Sequence, residues 1–192
     1  MNKRVSRRQM MIGTVRLAAG LGTGLLLPPS FGLAAEDAES MQRFEYLSQN
    51  GNSNCSRAFF ESIATMPVTQ RIRGSCCSPM DAHRYVEQVK ALRKYAELPA
   101  IPPDPYDIAA GLAQKTLPYY DIDLSAEEQP AYDYAMSNSD EKGPCCCQCW
   151  RWQMYGGLAK LLIREQRFSG AQVTEVWNLS NGCGGSAEHH HG

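Results

Sequence analysis

The chain has 192 residues, 43% of them hydrophobic, which suffices for one domain with its own core and gives no sign of a second. Its 19 Lys/Arg and 20 Asp/Glu leave a formal charge of −1, so no basic excess points toward nucleic acid. The compositional outlier is cysteine, with eight residues.

The N-terminal segment MNKRVSRRQM carries Lys3, Arg4, Arg7 and Arg8 and no acid. An apolar, Gly-rich run follows at 17–27, then Pro28, Pro29 and the small-residue stretch GLAAE at 32–36. This order is the plan of a secretory signal and predicts cleavage after Ala34 or Ala35. The apolar run is too short to span a bilayer. Upstream of it, SRRQMM (Ser6 to Met11) resembles the twin-arginine export signal. Ser6, Arg7 and Arg8 match; Met10 and Met11 stand where that family has Phe and Leu. The resemblance implies export of an already folded protein to the periplasm or beyond, often with its cofactor in place. An ordinary secretory signal is the alternative. Residues 1–34 hold five of the basic residues and none of the acids, so the mature chain has 14 bases against 20 acids and a net charge of −6. That balance argues against nucleic acid and an anionic membrane surface as partners, and no membrane span is expected in the mature protein.

The rest reads as an all-α domain over 35–185, followed by a loose tail, 186–192, containing His189–His191. A first helix covers 35–49, its acids suiting a positive N-terminus. Ser53 or Asn54 is placed to cap a second helix through Ala64, closed by Pro67. Ser78-Pro79-Met80-Asp81 predicts a helix to about Glu97 with an apolar stripe of Ala82, Val86, Val89, Leu92 and Ala96. The proline-rich 98–105 is an extended connector. Asp104-Pro105-Tyr106-Asp107 predicts another helix to about Lys115. Ser125 and Glu128 form a capping box for a helix to about Ser137, with Pro130 as a possible kink. A helix from about Cys147 to Arg164 places Trp150, Met154, Leu158, Leu161 and Leu162 on one side, and Ser169 caps a last helix to about Leu179. Five to seven short helices result; a small β element within 66–76 stays open.

Four cysteines, Cys145, Cys146, Cys147 and Cys149, crowd into five positions, and four lie elsewhere: Cys55, Cys76, Cys77 and Cys183. Neighbouring thiols demand strained geometry to pair with each other. The even split therefore permits four disulfides between the two sets, and eight cysteines allow about a hundred pairings in all. In an oxidising compartment that framework is chemically available, but a chain with a core of this size does not need it. Metal binding is the sharper reading. Thiolates are soft donors for copper(I), zinc and iron–sulfur clusters. Four in so short a stretch are too crowded for one mononuclear site and suit a polynuclear centre completed from elsewhere. Cys76, Cys77, Met80 and His83 are candidates for that completion, Met80 and His83 being one turn apart if the helix begins at Pro79, and Cys55 and Cys183 sit in Asn/Gly-rich turns that suit either a ligand or a disulfide. Thiolate, thioether and imidazole together lean toward copper(I). Trp150 and Trp152 flank the thiols, the first expected inside and the second at the rim.

Pro144-Cys145-Cys146-Cys147-Gln148-Cys149 resembles the PCYCGC motif of a family of small exported bacterial proteins of unknown function, with Cys146 in place of Tyr and Gln148 in place of Gly. The resemblance covers about 130–185 and implies metal binding without implying a reaction. The leading expectation is an exported protein binding a soft metal, copper(I) first, in storage, delivery or resistance. The alternatives are a disulfide-stabilised subunit of an exported redox complex, an iron–sulfur electron carrier, and a thiol–disulfide oxidoreductase using the CxxC pair Cys146 and Cys149. No acid–base constellation, phosphate loop or nucleophile–His–Asp arrangement stands out, so the expectation leans away from an enzyme. Both leading readings require Cys76, Cys77 and Cys183 to lie beside the start of the helix near Cys147.

Overall fold

A computed structural model describes residues 30–184, with side chains from residue 36 onward. Most of the expected signal peptide (1–29) and the expected tail with His189–His191 lie outside the described residues. The elements in order are α1 (Ser30–Gln49), α2 (Arg57–Ile63), β1 (Arg71–Arg73), α3 (Ala82–Leu92), β2 (Asp107–Ala109), α4 (Ala110–Thr116), α5 (Gln129–Asn138), α6 (Trp150–Gln166) and α7 (Gly170–Ser180). Short 3-10 turns occupy Arg93–Tyr95 and Leu117–Asp121. The expectation of a helical single domain with cysteine-rich loops holds: seven helices, and one two-stranded sheet among the described residues.

Helix α6 is the centre. Eleven of its 17 residues are buried, so it is covered all round rather than on one stripe. The Leu117–Asp121 turn, α4, α5 and α7 pack against it. Gly157 lets the turn approach: a Cβ there would stand 2.1 Å from the Thr116 carbonyl oxygen. Helix α5 lies on α7, and α3 sits between α7 and α1. A smaller apolar cluster, Leu47, Tyr85 and Tyr106, joins α1 to α3. No helix among the described residues is long and apolar enough to cross a membrane.

At the head of α7, where the helix start rests on local capping alone, sequence and structure agree. Ser169 and Gln172 exchange backbone hydrogen bonds at the head of α7, as a capping box should. Ser125 and Glu128 do the same, but around a turn; α5 begins afterwards with Pro130 in its first turn, where the missing N–H costs nothing and no kink arises.

Other starts move because tertiary partners claim the capping residues. The cap of α2 is Ser56, whose Oγ accepts from the Phe59 N–H at 3.1 Å. Asn54 accepts from the Ser56 N–H, and Ser53 accepts from the Trp150 indole, so neither is free to cap. Helix α3 begins at Ala82 under an Asp81 cap, three residues beyond the expected one. Ser78 is held instead by the Cys183 carbonyl. The buried face of α3 is Tyr85, Gln88 and Leu92, rotated from the expected stripe, and Ala96 is exposed.

The largest correction concerns 104–115. Instead of a helix from Asp104, residues 107–109 form β2, antiparallel to β1, with Ile108 opposite Ile72 and both fully buried. Asp107 is buried and receives hydrogen bonds from Arg43 and Arg71, with Arg73 at 4.0 Å. These long-range partners outweigh a local start signal, and α4 begins only at Ala110. The β element left open in 66–76 is β1.

Candidate metal centre

The four cysteine-bearing segments meet at the head of α6. That helix starts at Trp150, with Cys149 at the cap position, so Cys145–Cys149 form an irregular loop rather than its first turn. The Cys149 N–H donates to the Cys147 carbonyl at 2.8 Å, a tight turn that brings the alternate cysteines to one side. Facing this loop is the 74–78 segment that leaves β1. It is fastened to the C-terminal segment through one carbonyl: that of Cys183 accepts from Ser75 Oγ, Ser78 N and Ser78 Oγ at 2.9, 3.0 and 3.1 Å. Asn181 orients the Cys183 side in turn, accepting from its N–H while donating to Glu141. Cys55 comes from the loop before α2, whose neighbour Asn52 is paired to both flanks of β1.

All eight cysteine sulfurs fall into three overlapping groups, within each of which every sulfur lies within 4.8 Å of the others: Cys55/Cys76/Cys77/Cys147, Cys77/Cys146/Cys147/Cys183, and Cys145/Cys147/Cys149. Cys147 belongs to all three. Individual separations are 3.1 Å for Cys55–Cys77, 3.3 Å for Cys77–Cys147, 3.6 Å for Cys55–Cys147, 3.8 Å for Cys76–Cys183 and 4.0 Å for Cys76–Cys149. Four thiolates at ~2.3 Å from a tetrahedral ion sit about 3.8 Å apart, so these separations are those of ligand edges. The sulfurs of Cys145 and Cys183 lie at disulfide distance. These groups can hold a metal ion. The expected meeting of Cys76, Cys77 and Cys183 with the head of the helix is found.

The centre is buried on one side and open on the other. Cys145, Cys149 and Cys183 are buried, Cys76 and Cys147 half-buried, and Cys55, Cys77 and Cys146 exposed. Trp150 closes the inner side, fully buried against Phe59, while Trp152 is half-buried with its indole donating to Tyr120. On the open side a cleft of about 380 Å³ is bounded by Cys55, Cys149, Gln148, Arg57 and Glu61.

Met80 and His83 are placed elsewhere. Met80 precedes α3 and packs against the Leu47/Tyr85/Tyr106 cluster, with its sulfur 3.8 Å from Ser48 Oγ. His83 is 85% exposed, 3.6 Å from Glu87, and belongs to none of the three groups. Sequence reasoning passed over Arg151, which is fully buried directly behind the cysteines. One signal was available: a cation in the first turn opposes the helix dipole, so WRW at a helix start asks for a reason.

In the metal-free centre the thiols are unequal. Burial pushes Cys55 and Cys146 each up to about 11 and Cys147 up to about 12, and it also raises Cys77. Cys76 is held far above the ordinary range by its hydrogen bond to Cys149 and by burial. Cys149 is pulled down to about 5, first by the Cys76 thiol, then by the Arg151 N–H and by Cys147. Of these six, Cys149 alone is a thiolate at neutral pH, and every other ligand must lose a proton to bind metal. Affinity for a soft metal is therefore expected to fall with pH between 9 and 6, by about tenfold per unit for each protonated thiol recruited. Competition against a chelator whose own pH dependence is known measures the slope; a flat profile would show that thiol deprotonation is not part of binding.

No family model, no curated protein and no solved structure matches the chain.

Proposed function

We propose that the protein binds soft metal ions in a polynuclear thiolate centre, with copper(I) as the metal. The carrying observation is the convergence of all eight cysteines, from four chain segments, into groups that share Cys147. Filled together, groups that share Cys147 would make it a bridging thiolate and hold more than one ion. The donor set is sulfur alone, which favours soft ions over magnesium, calcium or manganese. Zinc prefers four closed ligands in a structural site. The Cys145/Cys147/Cys149 group supplies three, which copper(I), content with two or three thiolates, accepts more readily. Exposed Cys55, Cys77 and Cys146 leave the centre open to ligand exchange, in keeping with storage or delivery and not with a sealed electron-transfer cluster. The PCYCGC-like loop supports the same reading, and we propose the twin-arginine-like leader as the route of export.

A second reading has one observation in its favour: the contact of Cys145 with Cys183 suits a structural disulfide. It leaves six thiols, including the complete Cys55/Cys76/Cys77/Cys147 group, so it limits the centre without replacing it. Anaerobic titration of the fully reduced protein, read by native mass spectrometry, tests both. More than one equivalent of copper(I), bound in preference to zinc, is expected. Uptake of one equivalent or less of either ion would overturn the proposal, and the mass of the unreduced protein counts its disulfides.

A further inference from the structure

Behind the cysteines lies a buried cation with no carboxylate in contact. Arg151 is fully buried, yet among the described residues no carboxylate oxygen comes within 4.0 Å of it. Its guanidinium donates to two neutral carbonyls, Pro105 at 2.6 Å and Gly74 at 2.9 Å, and lies over the Trp150 ring at 4.7 Å. Its buried Nε has no hydrogen-bond partner there. Asp104 is within electrostatic range but is engaged by Tyr85 and by the Tyr106 N–H; burial raises its pKa. Tyr106 and Tyr155 also face the guanidinium and stay neutral, their pKa values raised by burial.

A buried guanidinium is expensive unless something negative compensates it. The position adds to the cost, because the first turn of α6 presents the positive end of the helix dipole. What surrounds Arg151 is the cysteine centre. Gly74, which it binds, is two residues before Cys76; Gly182, beside Cys183, packs so closely that a Cβ would stand 2.5 Å from Nη1; and Cys149 is two residues before it in the chain. One side chain thus touches the backbone of both facing segments from the root of the third.

We propose that Arg151 is the internal counter-charge of the metal–thiolate centre. This rests on the metal-binding reading above. Thiolates outnumber the charges of the ions they hold, so the loaded centre is anionic, and a fixed cation behind it lowers the energy of the loaded state. Loading therefore adds negative charge beside Arg151 beyond what the metal-free or disulfide-bonded state carries. Arg151 is accordingly a positioning residue, acting on the ions through the thiolates and not by contact.

The test uses copper(I) as the probe, in competition with a chromophoric copper(I) chelator at one fixed pH, on the reduced full-length mature protein. Wild-type uptake is measured first, so failure of the metal-binding reading shows before any variant is made. Arg151→Met, which removes the charge, is expected to weaken copper(I) binding by about tenfold or more. Arg151→Lys keeps the charge while breaking the two-carbonyl fork, and is expected to stay within about threefold of wild type. A purely structural role predicts that both variants lose affinity alike, and that result overturns the proposal. So does an Arg151→Met protein binding as tightly as wild type. If Arg151→Met does not fold, Arg151→Lys decides alone: wild-type-like affinity supports the proposal, and a tenfold loss overturns it.

Discussion

Cys147→Ser is expected to cost the reduced protein more copper(I) than Cys146→Ser, which should cost no more than one ion. The two residues are adjacent, of one type and on one loop, so the contrast isolates position in the network. Cys147 belongs to all three sulfur groups; Cys146 belongs to one. Removing Cys146 leaves the Cys55/Cys76/Cys77/Cys147 and Cys145/Cys147/Cys149 groups whole. Removing Cys147 leaves none of the three whole, and a serine hydroxyl is a hard donor that does not take a thiolate's place. The substitution is nearly isosteric at a half-buried site, so the cost to folding should be about 1 kcal/mol and the helices should persist. Native mass spectrometry after anaerobic loading reads the ion count directly, and circular dichroism checks the fold. Equal losses from the two variants would remove Cys147 from the centre of the network.

The second large effect should appear on stripping metal from the reduced protein. The cysteine loops come from four segments as far apart in sequence as Cys55 and Cys183, and the centre lies outside any helix or strand. Metal that binds only the assembled centre stabilises the fold by mass action, by about 4 kcal/mol when free ion exceeds its Kd a thousandfold. For a domain of this length that is a melting temperature higher by about 10 °C or more. The helical content should change little, because the apolar cluster around Met154, Leu158, Leu162 and Trp177 is built mainly from aliphatic and aromatic side chains, with Cys145, Cys149 and Cys183 as minor members. Amide exchange should instead slow at 51–56, 74–81 and 181–184, the loops that carry or brace the ligands. A melting temperature indifferent to chelator would mean that metal, if bound, is not coupled to the fold.

The two expectations depend on different layers of the molecule, and those layers were unequally legible in the sequence. Cysteine number and spacing are primary-structure facts. Crowding at 145–149 forced the expectation of a centre completed by Cys55, Cys76, Cys77 and Cys183, and all four are there. Met80 and His83 were added from a presumed helical turn; the turn begins later, and both side chains lie among other partners. Arg151 was missed because a buried cation is recognised by what surrounds it, and its surroundings come from Gly74, Pro105 and Gly182.

Helix capping is settled within three residues, and apolar spacing within a few turns. The chain's own order of residues therefore decided that the fold is helical, where α7 starts and that the cysteines divide four and four. Tertiary packing decided everything that depends on competition between distant partners. It drew Ser53 to Trp150 and Ser78 to Cys183, so that α2 and α3 start late. It turned 107–109 into a strand because a buried Asp107 among Arg43, Arg71 and Arg73, and Ile108 against Ile72, offset the loss of a helical turn. It also set one permanent charge behind eight thiols. Local signals act over a single turn and are each worth about 1 kcal/mol, so a buried ion pair or a filled core position overrides them whenever the fold brings the partners together.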